Sequence, residues 1–233
     1  APQPSRPLLA ALWMTGAIAA FTAMAIATRQ IKGVHDTFEI LAYRSMIGWV
    51  LVTAVASALG KLTDIRANRL PSHVVRNVFH FTGQSLWFWA ITMIPLAQVF
   101  ALEFTSPIWV ILLSPIFLGE RLTRRKLIAA ALGFAGVLIV ARPDFGRIEP
   151  GVLAAAAAAF FFASTNLMTK ALTRGEPILS ILFWLTLMQA VFGTLAMGLF
   201  GTITLPTLAT LPWLVLIGIA GITAHFSLTT ALS

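Results

Sequence analysis

The sequence predicts an all-α polytopic membrane protein, and three observations carry that prediction. The chain of 233 residues is 58% hydrophobic and only 10% charged, with a mean hydropathy of +0.89, whereas a soluble domain carries about 25% charged residues. Its apolar residues gather into long stretches separated by short charged connections. The acidic residues (Asp36, Glu39, Asp64, Glu103, Glu120, Asp144, Glu149 and Glu176) all fall in a connection or near the end of a stretch. A bilayer accounts for all three, because a helix of about 20 apolar residues crosses it while satisfying its own backbone hydrogen bonds.

Eight spans follow in order. The first three are read at 8–28, 38–59 and 75–94, and Pro95 separates the third from the fourth at 97–118. Arg124-Arg125-Lys126 precedes the fifth, 127–141, which is short and is expected to rely on snorkelling of Lys126 and Arg142 or on local thinning of the bilayer. Pro143 and Pro150 bracket the loop before the sixth, 151–169. Gly175-Glu176-Pro177 opens the seventh, 178–200, and Pro206 and Pro212 mark the entry to the eighth, 208–231. Arg6, an apolar run and Ala25-Ile26-Ala27 resemble a secretory signal with its cleavage site. The run is longer than a usual signal core, however, and its counterpart later in the chain cannot be a signal.

The net charge of +8 would suit nucleic acid, but its distribution excludes that reading. With the N-terminus in the cytoplasm, the inner side receives Arg6, Lys61, Arg66, Arg69, Arg76, Arg121, Arg124, Arg125, Lys126, Lys170 and Arg174. The outer side receives only Arg29, Lys32, Arg142 and Arg147, and Arg44 falls within a span. The basic balance is therefore a positive-inside signal. The absence of cysteine excludes disulfides and thiolate metal sites.

Sliding the chain along itself by 141 residues brings three helices into register without a gap. Thr28-Arg29 meets Thr169-Lys170, Ile40-Leu41 meets Ile181-Leu182, Tyr43 meets Trp184, and Thr82 meets Thr223. A duplication explains the common offset. The first unit, 1–142, holds five spans, so the second, 143–233, enters the membrane inverted. Counterparts of spans four and five would begin beyond Ser233, so the second unit is expected to stop after its third helix.

Residues 80–143 resemble the drug/metabolite transporter superfamily, in particular its EamA-type branch. The matching features are Gln84-Ser85-Leu86-Trp87-Phe88-Trp89-Ala90, Pro95-Leu96-Ala97, Phe104-Thr105-Ser106-Pro107, Leu118-Gly119-Glu120-Arg121 and Gly133-Phe134-Ala135-Gly136-Val137, with Arg44 near the start of span two. The resemblance extends more weakly through the rest of the chain. It implies two inverted five-helix repeats with a cytoplasmic N-terminus, and alternating-access movement of a small organic metabolite across the inner membrane, often outward. No cofactor is expected, and the expected partners are the lipid bilayer and a small organic solute, without nucleic acid and with a homo-oligomer left open.

Within the spans, His80, Gln84 and Trp87 share one face of span three. Gln84 lies near mid-span, where a polar side chain needs a partner or a cavity. Two readings stand side by side: a solute path offering hydrogen bonds and an aromatic platform, or interhelical glue. The offset pairs Gln84 with His225 and tilts the balance toward a shared cavity. Asn166 is a path candidate on span six, whereas Lys170, one turn on, is expected to snorkel. Thr22 is a further candidate, although threonines in membrane helices commonly bond their own backbone. Thr105 and Ser106 precede Pro107, which frees the carbonyl of Glu103 and disturbs the helix where a cavity is expected. Trp49, Trp87, Trp89 and Trp109 lie deep in their spans, as cavity walls or as packing and lipid-facing residues. Gly133 and Gly136 are read as close-packing positions.

Arg44, about two turns inside the outer end of span two, is expected to form a structural ion pair with Glu103, the acidic residue nearest in depth. A path without fixed charge would favour neutral, zwitterionic or aromatic solutes. The scattered histidines and the lack of a nucleophile–base set point to neither a metal site nor an enzyme. The expected function is a secondary transporter exporting a small organic metabolite; the alternative is a non-transporting membrane subunit or scaffold.

Overall fold

A computed structural model describes residues 7–141 and 149–232. Among them are nine α-helices and one short 3₁₀ turn. In chain order the helices are α1 (Pro7–Gln30), α2 (Thr37–Ala58), α3 (Leu70–Met93), α4 (Leu96–Glu103), α5 (Ser106–Leu118), α6 (Arg124–Ala141), α7 (Pro150–Thr173), α8 (Ile178–Phe200) and α9 (Leu211–Leu232). No strand occurs among the described residues. Arg6, Arg142, Pro143, Asp144, Arg147 and Ser233, used in the sequence reading, lie outside them.

Local chemistry fixes the helix ends. Asp36 starts α2 with a capping box: its carboxylate accepts from Phe38 N at 2.7 Å and Glu39 N at 2.9 Å, while Asp36 N donates to Glu39 at 2.8 Å. Proline occupies the first turn of α3, α5 and α7 and precedes α4 and α8, positions where its missing N–H costs nothing. Gly119 ends α5 at φ 68°, a left-handed conformation that closes the last turn.

Span four is two helices. Pro107 offers no N–H to the Glu103 carbonyl, and the chain tightens there, with Thr105 N donating to Leu102 O at 3.0 Å. The break at 104–105 lies where the sequence placed it.

Among the described residues, six segments are long and apolar enough to cross a membrane: Leu8–Gln30, Thr37–Ala58, Leu96–Leu118, Pro150–Thr173, Ile178–Phe200 and Leu211–Leu232. α3 and α6 occupy the places read as spans three and five but are less apolar. α6 opens on three cations. α3 is long enough at 24 residues but carries His73, Arg76, Asn77, His80 and Gln84, all buried. Its outer face is apolar, with Val74, Val75, Val78 and Trp89 exposed. That is an amphipathic helix turned inside out, as lipid requires. It also begins five residues before the expected start, which carries Arg76 from an anticipated interfacial position into the protein interior at 2% exposure.

The main pairings are α1 with α9, α2 with α8 and α3 with α7; α4 and α5 lean on α7, and α6 packs on α4 and α5. α2 and α8 approach so closely that a Cβ on Gly193 would stand 2.9 Å from Ala42 backbone. α7 meets its neighbours through small buried residues, among them Ala154, Ala155, Ala158, Ala159 and Ala163. The close packing expected at Gly133 and Gly136 is not observed among the described residues, since nothing lies within 4 Å of a Cβ at either. α6 uses its other side, where Ala130 and Val137 are buried.

Candidate functional site

The α3 residues Arg76, His80, Gln84 and Trp87 recur at helical spacing and line one wall of a cavity of about 560 Å³ between α1, α3, α4–α5, α7 and α9. That volume suits a small organic ligand. All four side chains are buried, at 2–3% exposure. A second, water-sized space of about 10 Å³ adjoins it at His80, Gln84 and His225 and is walled by Arg44 and Gln189.

Of the residues singled out in the sequence, His80, Gln84, Trp87, Glu103, Ser106, Asn166 and His225 line the large cavity. His80 and His225 stack edge to face with centroids 4.7 Å apart, and Gln84 shares both spaces with its offset counterpart His225. Ser106 donates to Ala159 O at 2.9 Å, tying the start of α5 to α7. Thr22 and Thr105 are not among the cavity-lining residues. Each hydroxyl bonds nearby backbone: Thr22 donates to Ile18 O on its own helix at 2.9 Å, and Thr105, in the break between α4 and α5, to Leu102 O at 2.7 Å. Trp49 and Trp89 are 37% and 40% exposed and face outward, so Trp87 alone of the four deep tryptophans lines the cavity.

The expected Arg44–Glu103 ion pair is not formed. Glu103 Oε2 instead accepts from Trp87 Nε1 at 2.8 Å. The Arg44 guanidinium lies 5.6 Å from the centre of the Phe88 ring, with Nε and Nη1 unpartnered. Matching two groups by depth alone gave no information on which face of its helix each occupied.

Three further residue pairs make polar contacts that were not anticipated. Gln84 Nε2 donates to Gln189 Oε1 at 2.8 Å, and Gln189 Nε2 donates to Asn77 O at 2.9 Å and Oδ1 at 3.1 Å, linking α3 to α8. The signal for Gln189 was present, as a polar residue inside a long apolar span. Arg76 Nε donates to Thr169 Oγ1 at 2.7 Å, and its Nη1 has no partner.

The cavity therefore carries fixed charge, contrary to the sequence reading. Arg76, Lys170 and Glu120 stand toward one end and Glu103 toward the other. Glu120, beyond the end of α5, accepts from Lys126 Nζ at 2.8 Å, and that bond and charge hold its carboxyl below the usual range; Lys170 Nζ is farther, at 3.9 Å. No group of three or more histidine or acidic residues suited to a metal ion occurs among the described residues.

Comparison with known proteins gives a consistent picture. The model of the EamA-like transporter family matches residues 8–142. A riboflavin transporter of Rhizobium johnstonii is 30% identical over 98% of this chain and 76% of its own length. One from Brucella anthropi is 31% identical over 94% and 79%. An S-adenosylmethionine uptake transporter of Rickettsia bellii is 25% identical over 84% and 67%. A solved structure shares the fold at a TM-score of 0.73 and 24% identity, over 96% of this chain and 78% of that one.

Proposed function

The chain belongs to the EamA-like transporter family of multi-pass membrane proteins that carry small molecules, and on that premise we propose that it moves a small organic metabolite across the inner membrane by alternating access between two inverted repeats, 1–142 and 143–233. The cavity running along the buried polar stripe of α3 is the observation that carries this reading.

Symmetry in the packing supports the repeats. Helix starts Thr37 and Ile178, and Leu70 and Leu211, each differ by the same 141 residues as the sequence offset. Exchanging the units converts the α1–α9 pairing into α7–α3 and leaves α2–α8 unchanged, and all three are main contacts. α-Helical spans and the positive-inside bias support the inner membrane.

An alternating-access carrier has no built-in direction, because flux follows the solute gradient and whatever is coupled to it. Export is the direction implied by the family resemblance, and uptake is the direction in the name of the Rickettsia relative.

Flux in proteoliposomes tests the reading, with radiolabelled riboflavin and S-adenosylmethionine as first probes and a metabolite panel after them. Saturable uptake accelerated by unlabelled solute inside the vesicle is expected. Folded protein without flux of any panel member would leave the subunit reading standing. Efflux and uptake by whole cells then set the direction.

A further inference from the structure

We propose that the cavity is built for an elongated, planar aromatic solute bearing an anionic group, a carboxylate or phosphate, with Arg76 receiving the anion and Glu103 receiving a hydrogen-bond donor at the far end. This deepens the transport reading and rests on it.

The first observation is an uncompensated cation. Arg76 is 2% exposed, lines the cavity and keeps Nη1 without a partner. The one hydrogen bond it makes among the described residues goes to a neutral hydroxyl, that of Thr169. A buried charge is ordinarily paired, because desolvation is otherwise unfavourable by several kcal/mol. Asn166 and Lys170, on the facing helix α7, line the same cavity, Lys170 with its Nζ 3.9 Å from Glu120. The carboxylate at that end, Glu120, is committed to Lys126. An incoming anion thus meets a buried guanidinium that none of the described carboxylates neutralises.

The second observation is the opposite pole. Glu103 Oε2 takes the indole N–H of Trp87, and no other hydrogen bond or ion pair to its carboxylate is found among the described residues. Arg76 and Trp87 are eleven residues apart on one helix, which separates the poles by about 16 Å along the axis. Between them lie two ring nitrogens of His80 and the Oε1 of Gln84, all buried and without a partner among the described residues. The third observation is the wall itself, where Phe21, Phe88, Phe100 and Phe162 join Trp87. Flat aromatic rings stack or pack edge-on against such surfaces. A compact inorganic anion would leave most of this apolar wall unused.

Riboflavin and riboflavin 5′-phosphate test the assignment, because they share a planar ring and differ in one terminal phosphate. Binding is measured on the purified protein in phosphatidylcholine nanodiscs through quenching of tryptophan fluorescence. The phosphate form should bind about tenfold more tightly than riboflavin. Arg76→Gln should abolish that preference while still binding riboflavin, and Arg76→Lys should keep part of it. Asn166→Asp, which sets a carboxylate at the same pole and leaves Arg76 in place, should also abolish it; this second variant covers misfolding of the first.

Equal affinities, a preference that survives both substitutions, or no binding of the phosphate form would overturn the proposal. So would displacement of the bound flavin by added phosphatidylglycerol, which would assign the anion site to lipid. Failure of the transport reading is distinguishable: an Arg76-dependent preference without flux would sink transport alone, and flux of neutral solutes without any preference would sink the anion pole alone.

Discussion

At the scale of single residues, Gln84 shows how one side chain can carry both roles that its sequence context suggested. Its amide nitrogen is bonded across to Gln189, while its oxygen is unpartnered beside the cavity. Gln189→Leu should therefore destabilise the protein, since it strands the Gln84 nitrogen and removes two donations to Asn77. Stranding a buried donor costs about 1–3 kcal/mol in soluble proteins, and pairwise hydrogen-bond couplings in membrane helices average about 0.6 kcal/mol. Denaturation of Gln84→Leu, Gln189→Leu and the double variant should show a coupling of that size, and additive losses would show that the bond contributes nothing. Gln84→Ala should in addition raise KM for transport, measured on the folded fraction; an unchanged KM would remove the oxygen from the path. The importance of Gln84 was legible from its depth in an apolar span. Its partner was not, because helix neighbours are set by rotation about the axis, which sequence spacing does not encode. The same gap explains the Arg44–Glu103 error and the unexpected Trp87–Glu103 bond.

At the scale of elements, helix positions were legible wherever proline, glycine or a charge run punctuated the chain. The break before α5 follows directly from Pro107. α3 was less legible: apolarity placed its start at residue 75, but it begins at Leu70, because five polar residues can lie within a membrane helix when they face protein. α2 offers a test at its own start. Burial pushes the Asp36 carboxyl up, but donations from Thr202, Glu39 and Phe38 outweigh it and leave the carboxyl below its ordinary value of 3.8. A folded-state value below the unfolded one stabilises the protein above pH 3.8, and that contribution is lost as pH falls through the lowered value. Asp36→Asn keeps a good N-cap but cannot titrate. Thermal melts of the native protein should therefore steepen in their pH dependence below about pH 4, and those of Asp36→Asn should steepen less. Identical profiles would mean that Asp36 does not contribute.

At the scale of the whole molecule, contacts between connections sort them onto two faces without reference to charge. Asp36 accepts from Thr202 N at 2.7 Å, Tyr43 donates to Thr204 O at 2.8 Å, and His35 Nε2 lies 3.1 Å from Thr210 Oγ1, so the α1–α2 and α8–α9 connections share a face. Trp184 donates to Arg66 O at 2.7 Å, and Glu120 approaches Lys170, so the α2–α3, α5–α6 and α7–α8 regions share the other. This division is the one that counting Lys and Arg produced, and in the proposed orientation, which rests on the charge bias, the second face is cytoplasmic. In this chain without native cysteine, a cysteine at Ile203 should react with an impermeant maleimide on whole cells and one at Arg125 should not; the reverse would invert the orientation. The polar ties among the α1–α2 and α8–α9 connections join residues 30–36 to residues 201–210, so the proposed rocking of one unit against the other is expected to break them. Cysteines at Asp36 and Thr202 joined by a short bis-maleimide should then abolish flux while preserving solute binding, whereas either single variant treated alike should still transport. Full flux through the cross-linked protein would show that those connections stay together throughout the cycle, and would place the moving boundary elsewhere.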